Sequence, residues 1–127
     1  MTENEIAREI VDAAYKIHTT LGPGLLESVY EAVLAYELEN RGLSVVRQKS
    51  LPVVYESVVL DEGFRADLIA GDKVIVELKS IETLAPVHKK QLLTYLRISG
   101  KKLGLLINFG TALIRDGIVR VVNGMND

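Results

Sequence analysis

The stretch Phe64-Arg65-Ala66-Asp67-Leu68-Ile69-Ala70-Gly71-Asp72-Lys73-Val74-Ile75-Val76-Glu77-Leu78-Lys79 decides the fold. It reads as two strands, 64–70 and 73–79, around a Gly71-Asp72 turn. Side chains alternate between the faces of a strand, so Glu77 and Lys79 share one face and Val76 and Leu78 the other. The place of Asp67 depends on the turn. A two-residue turn pairs 67 with 76 and sends the Asp67 carboxylate to the apolar side. A three-residue loop, or a bulge, pairs 67 with 77, 68 with 76 and 69 with 75. That register makes one apolar face and one face bearing Asp67, Glu77 and Lys79. Burying an unpaired carboxylate is costly, so the second register is expected.

Upstream, Ile6, Ile10, Ala13, Ala14 and Ile17 recur at helical spacing over residues 3–20. Thr2 caps this helix, and Glu5 three residues on completes a capping box. Gly22-Pro23-Gly24 stops it. A second helix is expected from Leu25 to Arg41, with Leu26, Val29, Val33, Tyr36 and Leu38 supplying most of its apolar face and Gly42 ending it. Strand signals follow at Ser44–Arg47 and Leu51–Tyr55, resuming at Val58–Leu60, before Asp61-Glu62-Gly63 interrupts them. Downstream, Pro86 suits the first turn of a helix that reaches Ser99 and ends at Gly100. Leu103–Phe109 reads as a strand covered on both faces. Ile114–Arg115 and Ile118–Val122 suggest a last hairpin around Asp116-Gly117. The expected order is α-α-β-β-β-β-α-β-β, an α/β fold with a mixed sheet flanked by helices. No repeat or linker divides the chain, so residues 1–127 are expected to form one domain.

Composition narrows the function. The chain has 127 residues, is 48% hydrophobic and contains no cysteine. That hydrophobic content excludes wholesale disorder. The missing cysteines exclude disulfides, Cys-ligated zinc, iron–sulfur clusters and thiol nucleophiles, and they fit a reducing, cytoplasmic compartment. The polar, acidic start does not resemble a secretory signal, and no apolar run is long enough to span a membrane. The net charge is −2, unlike a protein that coats nucleic acid. It divides as −6 over residues 1–64 and +4 over 65–127. Lys89, Lys90, Arg97, Lys101 and Lys102 cluster in the second half, either as a phosphate-facing patch or as a solvated helix end. P-loop and nucleophile-elbow motifs are absent.

Asp67, Glu77 and Lys79 form a chemical set. Two carboxylates can hold Mg²⁺ or Mn²⁺, which prefer oxygen ligands. An ammonium beside them can orient an attacking water and stabilise charge on a phosphate. Alone the pattern is short, and a salt bridge on a solvated strand face accounts for it as well. Other residues add to it. Gln91 and Tyr95 lie four apart on one helix face, where either they bond phosphate or order water, or Tyr95 is half-buried core and Gln91 is simply exposed. Glu27 and Tyr30 lie three apart just after the Gly-Pro-Gly turn, and Glu27 is either a third carboxylate or a first-turn acid favoured by the helix dipole. His18 is expected to take a packed or surface structural role in preference to touching the site or a phosphate, and His88 to belong to a solvated basic stretch. Two isolated histidines make no zinc site.

Gly24-Leu25-Leu26-Glu27-Ser28-Val29-Tyr30 reads as G-x-x-E-x-x-Y. With Ile17-His18, Arg65-Ala66-Asp67-Leu68, Val76-Glu77-Leu78-Lys79 and Gln91…Tyr95, the chain resembles the small prokaryotic GxxExxY family of the PD-(D/E)XK nuclease superfamily from Ile10 to about Asn123. The Gln91…Tyr95 element is similar to that of the RecB-like and Cas4-like exonuclease branch. The resemblance implies a restriction-endonuclease-like core with a metal site at a sheet end. It implies that Asp67, Glu77 and the Leu78 carbonyl ligate the metal, that Lys79 acts on the attacking water, that Glu27 is a helix-borne acid near the metal, and that Gln91 and Tyr95 support substrate or water. Ala66 stands where the wider pattern has proline, and the Cas4-like cysteine cluster is absent.

The expected activity is therefore Mg²⁺- or Mn²⁺-dependent phosphodiester hydrolysis of nucleic acid, DNA in preference to RNA. The alternative is a non-catalytic module on the same fold that binds nucleic acid, a nucleotide or a protein. Homodimerisation through exposed edge strands or the last hairpin is a further expectation.

Overall fold

A computed structural model describes residues 1–125. Helix α1 (Glu3–Leu21) and helix α2 (Glu27–Asn40) precede strands β1 (Val45–Tyr55), β2 (Val58–Ala70) and β3 (Val74–Lys79). Helix α3 (Pro86–Ser99), strand β4 (Leu103–Asn108), a 3₁₀ turn (Ile114–Gly117) and strand β5 (Ile118–Val122) complete the fold. One sheet runs β1-β2-β3-β4-β5, antiparallel except for the parallel β3–β4 pair that the α3 crossover joins.

Three layers result. Ile6, Ile10, Ile17, Tyr30, Leu34 and Leu38 of α1 and α2 pack on one sheet face, against Leu68, Val76, Leu78, Leu105 and Ile107. Leu92 and Leu96 of α3 cover the other face with Ala66, Ile69, Ile75, Leu106 and Val121. This is the mixed-sheet α/β architecture expected, with a restriction-endonuclease-like arrangement of sheet and helices. The expected start of α1 is present in full: Glu5 N–H donates to Thr2 Oγ1 (3.2 Å), and Thr2 N–H to Glu5 Oε1 (2.9 Å). None of the helices among the described residues is long and apolar enough to cross a membrane.

Three expectations are corrected. Three strands, not four, precede α3. Ser44–Arg47 and Leu51–Tyr55 fall within the single strand β1, apart from Ser44, and Val58–Leu60 joins Phe64–Ala70 as β2. The interruption at Asp61-Glu62-Gly63 is a bulge: Leu51 pairs with Phe64 while Val53 already pairs with Leu60, leaving those three residues opposite Pro52. The last hairpin does not form either. Ile114–Gly117 is a 3₁₀ turn, and β5 pairs with β4 instead. An Asp-Gly pair closes a helical turn as readily as a hairpin, and the free edge of β4 supplies the partner. Finally, α2 buries Tyr30, Glu31, Leu34, Ala35 and Leu38, while Leu26, Val29 and Tyr36 are exposed. Apolar residues lie all round this helix, so periodicity alone does not choose its inner face.

Candidate active site

The β2–β3 connection is a three-residue loop. The ladder pairs Leu68 with Val76, Ile69 with Ile75 and Ala70 with Val74. This is the register expected from the cost of burying Asp67. Gly71 and Asp72 both take positive φ, and a Cβ on Gly71 would fall 2.6 Å from Ile6 Cδ1. Beyond Leu68 and Val76 side chains take over from the ladder. The Leu78 N–H donates to Asp67 Oδ2 (2.8 Å), and the Asp67 N–H donates to Glu77 Oε2 (3.3 Å). The two carboxyl groups thus hang from the point where two strands stop pairing.

Glu77 is only 8% exposed, and its Oε1 has no hydrogen-bond partner. Burial pushes its carboxyl up to about 9, aided by the hydrogen bond and the charge of Asp67 and opposed by the Asp67 N–H and by Lys79. Tyr95 on α3 is also raised, first by burial and then by the charges of Glu77 and Asp67, so the phenol lies in the field of both acids. Its ring stacks on Phe64 of β2 (4.3 Å between centroids). Two acids in a poorly solvated place repel, and a buried carboxylate oxygen without a donor is unsatisfied. A divalent cation resolves both conditions. Among the described residues no three His, Cys, Asp or Glu side chains gather as a metal-holding group. The acids that could hold a divalent cation here are Asp67 and Glu77, a pair compatible with a cation that takes one or two carboxylates and keeps several waters.

The other candidate residues are placed as follows. Glu27 begins α2, is exposed, and lines a cleft of about 400 Å³ together with Glu31, Gln48, Arg65, Asp67 and Leu78. Lys79 is half-buried at the end of β3; its carbonyl accepts from the Phe109 N–H (2.8 Å), while its side chain makes no ion pair or hydrogen bond among the described residues, and its field reaches Glu77. Gln91 is exposed one turn before Tyr95, and no hydrogen bond connects it to the acids. His18 is buried with Nε2 2.9 Å from the Thr111 carbonyl, a packing role as expected. His88 is half-buried beside the exposed Lys89 and Lys90, and its Nδ1 accepts from the Ala85 N–H (3.0 Å), capping α3. Of the basic cluster, Lys89, Lys90, Arg97 and Lys102 are exposed, while Lys101 bonds Asp72.

The turn that presents Glu27 is fixed from three sides. Tyr30 is wholly buried, and its hydroxyl donates to the Gly22 carbonyl (2.5 Å) and accepts from the Leu25 N–H (3.1 Å). Its ring stacks on Phe109 at 4.4 Å. Ser80 Oγ, next to Lys79, donates to the Leu25 carbonyl (2.5 Å). Tyr30 thus points inward while Glu27 faces solvent, so the two do not work as one surface pair.

Two residues escaped sequence reading. Asn108 is fully buried; its Oδ1 accepts from Ile81 N–H and Gly110 N–H (3.0 Å each), and its Nδ2 donates to the Ile81 carbonyl (2.9 Å). It locks the segment after Lys79 to the end of β4. A polar residue closing a wholly apolar strand was the available signal. Glu31 is the second. It stands one helical turn after Glu27, a spacing that places both on neighbouring surface.

No curated protein and no solved structure matched the chain. A family model described as the PD-(D/E)XK nuclease superfamily matches residues 4–121, a span that takes in both acids, Lys79, and all three helices except the first residue of α1. The sheet and the paired acids at its opening agree with that match, and the chain belongs to the PD-(D/E)XK nuclease superfamily.

Proposed function

We propose that this protein is a Mg²⁺- or Mn²⁺-dependent nuclease of the GxxExxY type, related to the RecB-like branch, which hydrolyses phosphodiester bonds in DNA in preference to RNA. One observation carries the reading: the buried, unpartnered Glu77 Oε1 beside the Asp67 carboxylate. Asp67 and Glu77 would hold the metal, with the Leu78 carbonyl as a further oxygen. When bound, the cation neutralises the scissile phosphate and lowers the pKa of a coordinated water. The protein's own groups do the rest. Lys79, whose side chain makes no ion pair among the described residues, orients the attacking water and stabilises charge on the phosphate. Glu27 faces the shared cleft as a second-side acid. Tyr95, held by Phe64, supports substrate or water from the α3 side with Gln91 one turn away.

The test is Mn²⁺ calorimetry on the wild type and Asp67→Ala, with cleavage of end-labelled DNA by the wild type and Lys79→Ala. Binding that disappears in a folded Asp67→Ala, and cleavage that disappears in a folded Lys79→Ala, are the expected results. Full cleavage by Lys79→Ala would sink the mechanism. A second reading, a module that binds nucleic acid, a nucleotide or a protein without turnover, draws on one observation: Glu27 does not complete a three-acid group with Asp67 and Glu77. DNA binding in EDTA with no cleavage in Mn²⁺ would favour it. Homodimerisation through the unpaired outer edge of β1 belongs to the same proposal and is read by sedimentation.

A further inference from the structure

We propose that Glu31 is a positioning residue that holds Gln48 in a left-handed backbone conformation, and thereby sets the direction of the Asp67 carboxylate.

Glu31 is 6% exposed, and both of its oxygens are engaged. Oε2 accepts from Arg47 Nε (3.1 Å) and lies 3.0 Å from Arg47 Nη2; Oε1 accepts from Gln48 Nε2 (2.5 Å). Gln48 has φ +51° inside β1, a conformation that a residue with a side chain adopts only where its surroundings impose it. The register places Gln48 opposite Asp67, since Arg47 pairs with Leu68 and Lys49 with Ala66.

Side-chain alternation breaks at that same rung. Leu68 and Ala70 pack with α1 and α2, so a regular strand would send Ala66 to that side too. Ala66 packs with α3 instead. Both strands are therefore bent at the Gln48–Asp67 rung. The bend leaves Asp67 facing the cleft with its Oδ2 on the Leu78 N–H. Glu31 reaches the bend from α2 through the two residues Arg47 and Gln48. It also lines that cleft, one turn from Glu27, so one helix carries both the exposed acid and the buried one that shapes the opposite wall. The consequence for metal binding rests on Asp67 being a metal ligand, as proposed above; the consequence for geometry does not.

Amide exchange at Leu78 reads the geometry without metal, and Mn²⁺ calorimetry reads the site. In Glu31→Ala, Leu78 protection and Mn²⁺ affinity should each fall about tenfold, with the remaining strand amides unchanged. Glycine takes positive φ freely, so Glu31→Ala/Gln48→Gly should return both readouts to within about threefold of wild type. A role limited to packing would not be rescued by a glycine on strand β1. Unchanged Leu78 exchange in Glu31→Ala, or no recovery in the double variant, overturns the proposal. Should Glu31→Ala fail to fold, Glu31→Gln keeps the volume and one acceptor; its loss of Leu78 protection must again be repaired by Gln48→Gly. A wild type that binds no Mn²⁺ defeats the metal assignment, while the exchange measurements still decide whether Glu31 positions Asp67.

Discussion

The two ends of β2 belong to one strand and live in different physical settings. At the inner end, Ala66, Leu68, Ile69 and Ala70 are buried, and Leu68–Ala70 is hydrogen-bonded to β1 and to β3. At the outer end, Val58, Val59 and Leu60 are each more than half exposed, pair with β1 alone, and are separated from the inner end by a register slip opposite Pro52. Asp67 lies within the inner end, at the bend beside the last rung of the β2–β3 ladder. A metal ligand, the role proposed for Asp67, would gain from that place: the buried strand fixes the Cα, while the opening strands leave the carboxylate accessible. A site set further out would lose its register to the bulge. One set further in would be sealed.

The largest effect that can break this comparison is on stability. Leu68→Ala should cost about 2–5 kcal/mol in urea unfolding, the range for truncating a buried leucine. An inner end as tolerant as the outer one would show less than about 1 kcal/mol, against the usual cost of a buried truncation. Next, Asn108→Ala should cost about 1–3 kcal/mol, because Ile81 and Gly110 would each lose a buried partner. A Cβ on Gly110 would sit 2.1 Å from the Ile81 carbonyl, so that approach leaves no room for repacking.

The third prediction concerns pH. The Glu77 carboxyl is raised to about 9 in the folded protein, from an ordinary value of 4.5. Between those values the folded state keeps a proton that the unfolded chain releases, so metal-free stability falls as pH rises through that window. Thermal unfolding in EDTA should show that fall in the wild type and a flatter profile in Glu77→Gln. Mn²⁺ must displace the same proton, so its affinity should climb with pH up to about 9. A pH-independent affinity would place the metal elsewhere. The smallest effect is at the outer end. Leu60→Ser should change stability by no more than about 0.5 kcal/mol, as surface substitutions do. A larger loss there would mean that the outer end is covered in solution.

Much of the inner end was legible before any coordinates. The three-residue loop followed from one argument, the cost of hiding Asp67 among Val76 and Leu78, and the ladder agrees with it. The capping box at Thr2 and Glu5 and the buried run Leu103–Asn108 were equally readable, because each is written in neighbouring residues. What escaped was written across distance. The bend at Gln48 carries no local signature, since glutamine is not a residue that marks positive φ; the side chain it bonds, Glu31, lies 17 positions away. The inner face of α2 was misread because Leu26, Val29 and Tyr36 are as apolar as the residues actually buried. Of the candidate residues, Asp67, Glu77 and Tyr95 share one electrostatic neighbourhood, whereas Gln91 is tied to it only by helix spacing.

The contacts that fix the Glu27 turn have a bearing on how the protein is born. Tyr30 meets Phe109, and His18 meets Thr111, 93 positions along the chain. Such distant pairings form late, because the intervening loop must close first. During synthesis Asp67, Glu77 and Lys79 leave the ribosome before Phe109 is there to receive Tyr30. A chain at that stage has its acids but not the Phe109 ring against which the Glu27 turn is held, so the cleft between Glu27 and Asp67 takes its shape only once the last third has docked.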